Sequence, residues 1–252
     1  MQEPQPMLPF QPRSFRDFML YEQHVIGATR GYVKRFMPAA YLVASSYERL
    51  TRKTFPAFKP KPLWYRQPIY YMGNHMTFVA SGTPIECPSY SRALDYELEL
   101  GFVLHKPLLN ASPQQALEAI GAFVVVCDFS CRDVQRAEMN SGLGPQKSKH
   151  FISSMSSLAV PAPEVLPRVE QLTAAVEIDG EIVVRTSTGG MHHSLGEVLA
   201  HASKDEQLHP GELFATGTLP GGSGMENGHW LKSGTRLRLA IDGIGEIQHL
   251  IL

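Results

Sequence analysis

The stretch Leu94-Asp95-Tyr96-Glu97-Leu98-Glu99-Leu100-Gly101-Phe102 alternates acids with large apolar residues. As a β-strand it sends Asp95, Glu97 and Glu99 to one face and Leu94, Tyr96, Leu98 and Leu100 to the other. An ordinary amphipathic strand with a solvated acidic face produces this pattern. So does a strand that serves a divalent cation, because three carboxylates on one face repel one another unless positive charge sits among them. The rest of the chain has to separate the two.

The 252 residues suffice for a sizeable core. One catalytic domain over residues 14–252 is expected, after a leader, residues 1–13, that Pro4, Pro6, Pro9 and Pro12 keep extended or disordered. With 23 basic and 24 acidic residues, no global field draws the chain to nucleic acid or to an anionic membrane. A small-molecule partner is expected instead. Cys87, Cys127 and Cys131 are too few and too irregular for a disulfide framework or paired zinc ligands, and Cys127 and Cys131 read as small core residues. No apolar run is long enough to span a bilayer and no apolar signal core opens the chain, so a cytoplasmic protein is expected.

Working outward from the acidic strand, residues Phe15 to Tyr32 have helical spacing with Ser14 as cap, weakened at the end by Gly27 and Gly31. A second helix is expected over Ala39–Leu50, short strands over 68–72 and 77–80, and a helix over Pro113–Ile120. The run Ala122–Cys127 is apolar throughout and reads as a strand buried on both faces. It delivers Asp128 at its mouth, where a carboxylate has to be paired or ligated. The following helix, Cys131–Glu138, puts Arg132 and Gln135 one turn apart on one side. Residues 141–160 look irregular, Asp179-Gly180 marks a hairpin, and a helix covers Leu195–His201. A strand, 214–218, is expected to end in the Gly-rich loop 220–224 before two last strands, 236–241 and 245–251.

Oxygen-rich clusters select hard cations, which makes Asp17, Glu97, Glu99 and Asp128 candidates. In a helix, Asp17 and His24 are two turns apart and share a face. Alone, Asp17 is an ordinary helix-start acid, His24 a packing histidine, Lys149 a loop lysine, and Arg132 with Gln135 a helix surface. His192, His193 and His249 fall in polar or terminal places and receive no role. The loop after Thr218 has neither the P-loop ending nor the spacing of a nucleophile elbow.

Read together, these segments resemble the fumarylacetoacetate hydrolase family from about Phe15 to Leu252. Asp17-Phe18 with Gln23-His24, Leu94-Asp95-Tyr96-Glu97-Leu98-Glu99, Asp128 to Gln135, Gly144-Pro145 to Lys149 with Phe151, and Thr216-Gly217-Thr218 with Gly221 follow its motifs in order. The resemblance implies an α+β fold, a mixed β-sandwich roll with peripheral helices, usually a homodimer. It implies that Asp17, Glu97, Glu99 and Asp128 bind Mg2+ or Ca2+, with Mn2+ also accommodated, and that His24 activates water with Glu226 orienting it. Lys149 would meet an oxyanion, Arg132 and Gln135 would hold substrate oxygens, and Thr218 would contact substrate. Asp95 is not a ligand in that family and is read as a brace at the strand end. Met19 and Met139 stand where the family places pocket tyrosines.

The activity so implied is hydrolysis of a C–C bond in a 1,3-diketone or acylpyruvate-type 2-oxo acid. Decarboxylation, tautomerisation and hydration on the same metal site are the neighbouring chemistries. A non-catalytic binding protein of the same fold is the alternative from another class.

Overall fold

The computed structural model describes residues 7–252; the part of the expected leader before Met7 lies outside them. Residues 7–13 form no helix or strand, and Leu8 and Phe10 pack onto the smaller of two apolar clusters. The elements that follow are β1 (Ser14–Phe18), α1 (Glu22–Phe36), α2 (Pro38–Thr51), β2 (Tyr70–Gly73), β3 (Phe78–Ala80), β4 (Leu94–Asp95) and β5 (Glu97–Leu104). Next come α3 (Pro113–Leu117), β6 (Ile120–Asp128), β7 (Ser130–Cys131), α4 (Arg132–Asn140), β8 (Ser153–Met155), β9 (Val160–Pro161) and α5 (Ala162–Val165). The chain ends with β10 (Thr173–Ile178), β11 (Glu181–Ser187), α6 (Leu195–Ala202), β12 (Glu212–Ser223), α7 (Gly224–Asn227), β13 (Arg236–Ile241) and β14 (Gly245–Leu250).

A mixed sheet runs β2-β1-β12-β5-β6-β8-β3, with β9 beside β6, and a four-stranded sheet runs β11-β10-β13-β14. The period-two alternation of β5 and β6 decides what lies between them. Leu98, Leu100, Phe102, Phe123, Val125 and Cys127 point toward the small sheet, where Val176, Leu237, Leu239 and Ile247 complete the main core. The opposite face of the large sheet carries a smaller cluster of Phe15, Val124, Val126, Leu213 and Ala215. On that same parity lie Asp17, Glu99 and Asp128. The fold is α+β, a curled mixed sheet packed on a second sheet with helices outside, and Cys127 and Cys131 are fully buried as expected.

Four local expectations change. The helix expected from Phe15 is a strand followed by a helix, because β1 pairs in parallel with β12 and antiparallel with β2. Ser14 caps nothing; its hydroxyl donates to Glu212 at 2.7 Å. The strand expected from Leu94 onward breaks at Tyr96: β4 pairs with β7, whereas β5 pairs with β6 and β12. The Gly-rich 220–223 segment is not a loop but the end of β12, which stays in the sheet by two register shifts and returns Ser223 opposite Glu97. Gly217 makes the first shift possible: its φ is 79°, and a Cβ there would lie 2.3 Å from the Phe18 carbonyl oxygen. Within the segment 141–160, expected to be irregular, β8 joins the large sheet.

Candidate functional site

Three strands deliver three acids to one point. Register sets Asp17 beside Ala215, Ala215 beside Gly101 and Thr218 beside Glu99, so β1, β12 and β5 advance side by side. Gly101 leaves room for this, since a Cβ there would lie 2.6 Å from Val126. Asp17, Glu99 and Asp128 each place a carboxylate oxygen within 4.8 Å of the others, and all three are buried. Asp17 and His24 do not share a helix face as the spacing implied; a sheet and the start of α1 bring them to the same site.

Glu97 stands beside this trio rather than in it. Its Oε1 accepts from Arg132 Nη2 at 2.8 Å, and its Oε2 is bound by Lys149 and by Ser130, the latter at 3.2 Å. Lys149 also binds Asp128, and it donates to Ser130 at 2.8 Å. Burial alone would raise the Glu97 pKa, but Arg132, Lys149 and His24 outweigh it and hold the carboxyl well below the usual range. Asp17 and Glu99 go the other way: burial, reinforced by neighbouring carboxylates, pushes both well above it.

Those two opposite shifts test the expected cation. Five buried carboxylates, Asp17, Asp95, Glu97, Glu99 and Asp128, face two permanent positive charges, Arg132 and Lys149. Asp17 Oδ1 and Glu99 Oε2 have no hydrogen-bond partner among the described residues. Fully buried oxygens without a partner are costly, and an all-oxygen donor set suits a hard divalent ion. The residues fit Mg2+, Ca2+ or Mn2+.

His24, at the start of α1, is buried, and its Nδ1 lies 2.8 Å from Glu226 Oε2; its Nε2 is 3.8 Å from Glu97 Oε1. Burial disfavours charge on this ring, but Glu226 and Glu97 more than compensate and raise its pKa. Glu226 is held in turn by the Gly221 N–H at 2.9 Å and the Ser223 hydroxyl at 2.8 Å. The expected His24–Glu226 pair is thus assembled by α1 and α7. Their close approach depends on Gly27 and Gly31, where a Cβ would lie 2.8 Å from Glu226 Oε1 and 1.7 Å from the Met225 carbonyl oxygen.

Arg132 and Gln135 are joined, Nη1 to Oε1 at 3.0 Å, but Arg132 is 2 % exposed, its other donors going to Asp95 and Glu97. The guanidinium is therefore anchored on three residues, Asp95, Glu97 and Gln135. Thr218 is buried too, and its hydroxyl donates to Glu99 at 3.4 Å. Met19 and Met139 are exposed. Sequence reading missed Tyr71, whose hydroxyl donates to Asp128 Oδ2 at 2.7 Å. It also missed Glu138, whose carboxylate accepts from the backbone N–H groups of Gln146, Lys147 and Ser148 and so fixes the loop leading to Lys149. Neither had a sequence signal beyond being polar. Among the described residues no helix is long and apolar enough to cross a membrane.

The sequence matches the fumarylacetoacetate (FAA) hydrolase C-terminal family over residues 40–251. Asp17 and His24 precede that span, and the sheet and α1 carry them to the acids within it. The mitochondrial oxaloacetate tautomerase of Homo sapiens is 28% identical over 155 residues, 62% of this chain and 70% of that protein. Among solved structures, fumarylacetoacetate hydrolase from psychrophilic Exiguobacterium antarcticum superposes with a TM-score of 0.71 at 20% identity, covering 97% of this chain and 76% of that one. The 5-carboxymethyl-2-hydroxymuconate delta-isomerase of Mycobacterium smegmatis gives 0.69 at 18% identity, covering 97% and 78%. With the family match spanning most of its length, the chain belongs to the fumarylacetoacetate hydrolase family.

Proposed function

We propose that this protein is a metal-dependent hydrolase that cleaves a C–C bond in a 1,3-diketone or acylpyruvate-type 2-oxo acid. The observation that carries the reading is the His24–Glu226 pair beside the buried acid trio. Asp17, Glu99 and Asp128 would hold the cation, with Glu97 adjoining; when bound it polarises the substrate's oxo groups and stabilises developing enolate charge. Glu226 accepts the Nδ1 proton of His24, which leaves Nε2 as the base that takes a proton from water and makes Glu226 the stabiliser of the imidazolium. Lys149 Nζ, whose three donors go to Glu97, Asp128 and Ser130, would turn one of them from Ser130 to the tetrahedral oxyanion. The Gln135 amide holds a substrate oxygen, Arg132 fixes Glu97 and Gln135 from behind, and Thr218 orients Glu99. The resemblance extends the proposal to a homodimer, which light scattering reads directly.

A second reading is tautomerisation of a 2-oxo acid, favoured by the similarity to a protein named oxaloacetate tautomerase. The test is a panel of acylpyruvates and enol oxaloacetate with magnesium, with chelator as control. Loss of diketone absorbance with release of a carboxylic acid supports hydrolysis. Proton exchange without cleavage transfers the site to the second reading.

A further inference from the structure

Behind the His24–Glu226 pair sits a fully buried carboxylate that no step above uses. Asp95 Oδ1 accepts the backbone N–H of Tyr96 at 2.9 Å and of Gly224 at 2.8 Å. Its Oδ2 accepts Arg132 Nε at 2.8 Å and the N–H of Met225 at 3.1 Å. Two of those four donors belong to α7, immediately before Glu226.

We propose that Asp95 is a positioning residue that fixes the orientation of His24 by clamping α7 beneath Glu226. This rests on the reading of His24 as the base. α7 also meets α1 at Gly27, against the Glu226 side chain, and at Gly31, against the Met225 carbonyl. The segment is therefore held both by the Asp95 carboxylate and by close packing on α1. The same Asp95 oxygen that binds Met225 also binds Arg132, whose Nη2 reaches Glu97 at 2.8 Å. Glu97 lies 3.8 Å from Nε2 of His24, while Glu226 holds Nδ1. Both imidazole nitrogens thus face groups braced through Asp95. A brace for the chain break at Tyr96 would need only the bond to the Tyr96 N–H.

The test compares Asp95→Asn, which keeps size but loses two-sided acceptance, with Gly224→Ala. A Cβ at Gly224 would lie 2.5 Å from Asp95 Oδ1 and 2.6 Å from the His229 carbonyl oxygen. It would push α7 off its clamp and leave the Asp95–Arg132 pair in place. With magnesium supplied, both variants are expected to lose kcat by up to about 100-fold, the scale of a 1 Å misplacement, with KM within about twofold. In a Glu226→Gln background, Asp95→Asn is expected to add less than about twofold, because the two residues act on one geometry. The proton on His24 Nδ1 gives a downfield resonance, identified by its loss in Glu226→Gln, which both variants should broaden or abolish. That resonance is read whether or not any acylpyruvate is cleaved, so absence of turnover in the parent protein refutes the functional reading and leaves the inference on Asp95 decided. A sharp, unshifted Nδ1 resonance in Asp95→Asn overturns the inference, as do kcat losses that multiply in both backgrounds.

Discussion

Nδ1 of His24 lies 2.8 Å from Oε2 of Glu226, although 202 positions separate them in the chain. Neither helix could place its residue alone: α7 has four residues and α1 has no side-chain cap at Tyr21.

His24→Ala is expected to abolish turnover while leaving magnesium binding intact. Glu226→Gln should lower kcat by about 100-fold, the lower range of a general-base contribution. Steady-state kinetics beside a magnesium titration checks both, and full activity in His24→Ala removes that residue from the mechanism.

Glu99→Gln is expected to weaken cation affinity by at least about tenfold. Glu97→Gln should weaken it less, since Glu97 is already engaged by Arg132 and Lys149. Calorimetric titration with magnesium distinguishes them, and an unchanged isotherm for Glu99→Gln refutes the assignment of the trio.

Lys149→Met removes a buried cation bound to Glu97 and Asp128. In the presence of chelator the urea midpoint should fall by the equivalent of about 3–5 kcal/mol, because two acids are left facing each other. Turnover should fall about 100-fold to 1000-fold if Lys149 meets the oxyanion. A midpoint equal to that of the parent shows that the lysine neutralises neither acid.

His249, expected from sequence to lie in a polar or terminal place, is 4 % exposed. Its Nδ1 lies 2.6 Å from the Thr83 carbonyl, a bond that favours the charged ring, and its Nε2 lies 2.8 Å from the Ser154 hydroxyl, but burial outweighs the Thr83 bond. Burial lowers its pKa to about 4. The unfolded chain takes up a proton near the ordinary value of about 6.5 and the folded chain refuses it until about pH 4. Stability is thus unaffected by this group above pH 6.5 and is lost as pH falls between the two values, by about 3 kcal/mol in total. Urea unfolding of the parent and of His249→Gln from pH 7 to pH 4.5 measures the difference. Identical pH slopes remove His249 as the cause.

Much of the framework was legible because it was local. The alternation of Leu98, Leu100 and Phe102 against Glu97 and Glu99 gave the face of β5, and the apolar run before Asp128 gave β6. Asp179 and Gly180, with φ of 53° and 89°, turn the hairpin their residue types call for. What was not legible depended on distant pairing. Phe15 to Phe18 read as helix because nothing nearby reveals that Leu213 to Ala215 lie alongside. Glu97 and Glu99 looked equivalent, and only the arrival of Arg132 and Lys149 separates a neutralised carboxylate from one left among acids.

The glycine pair on α1 acts as a ruler. Because Gly27 and Gly31 carry no side chains, α1 comes close enough for the Glu226 side chain and the Met225 carbonyl to lie against it, and this sets how far α7 stands from the helix that carries His24. A larger residue at either glycine would push α7 away, so adaptation to a new substrate has to come from the outer residues, such as Gln135, and leave this pair alone.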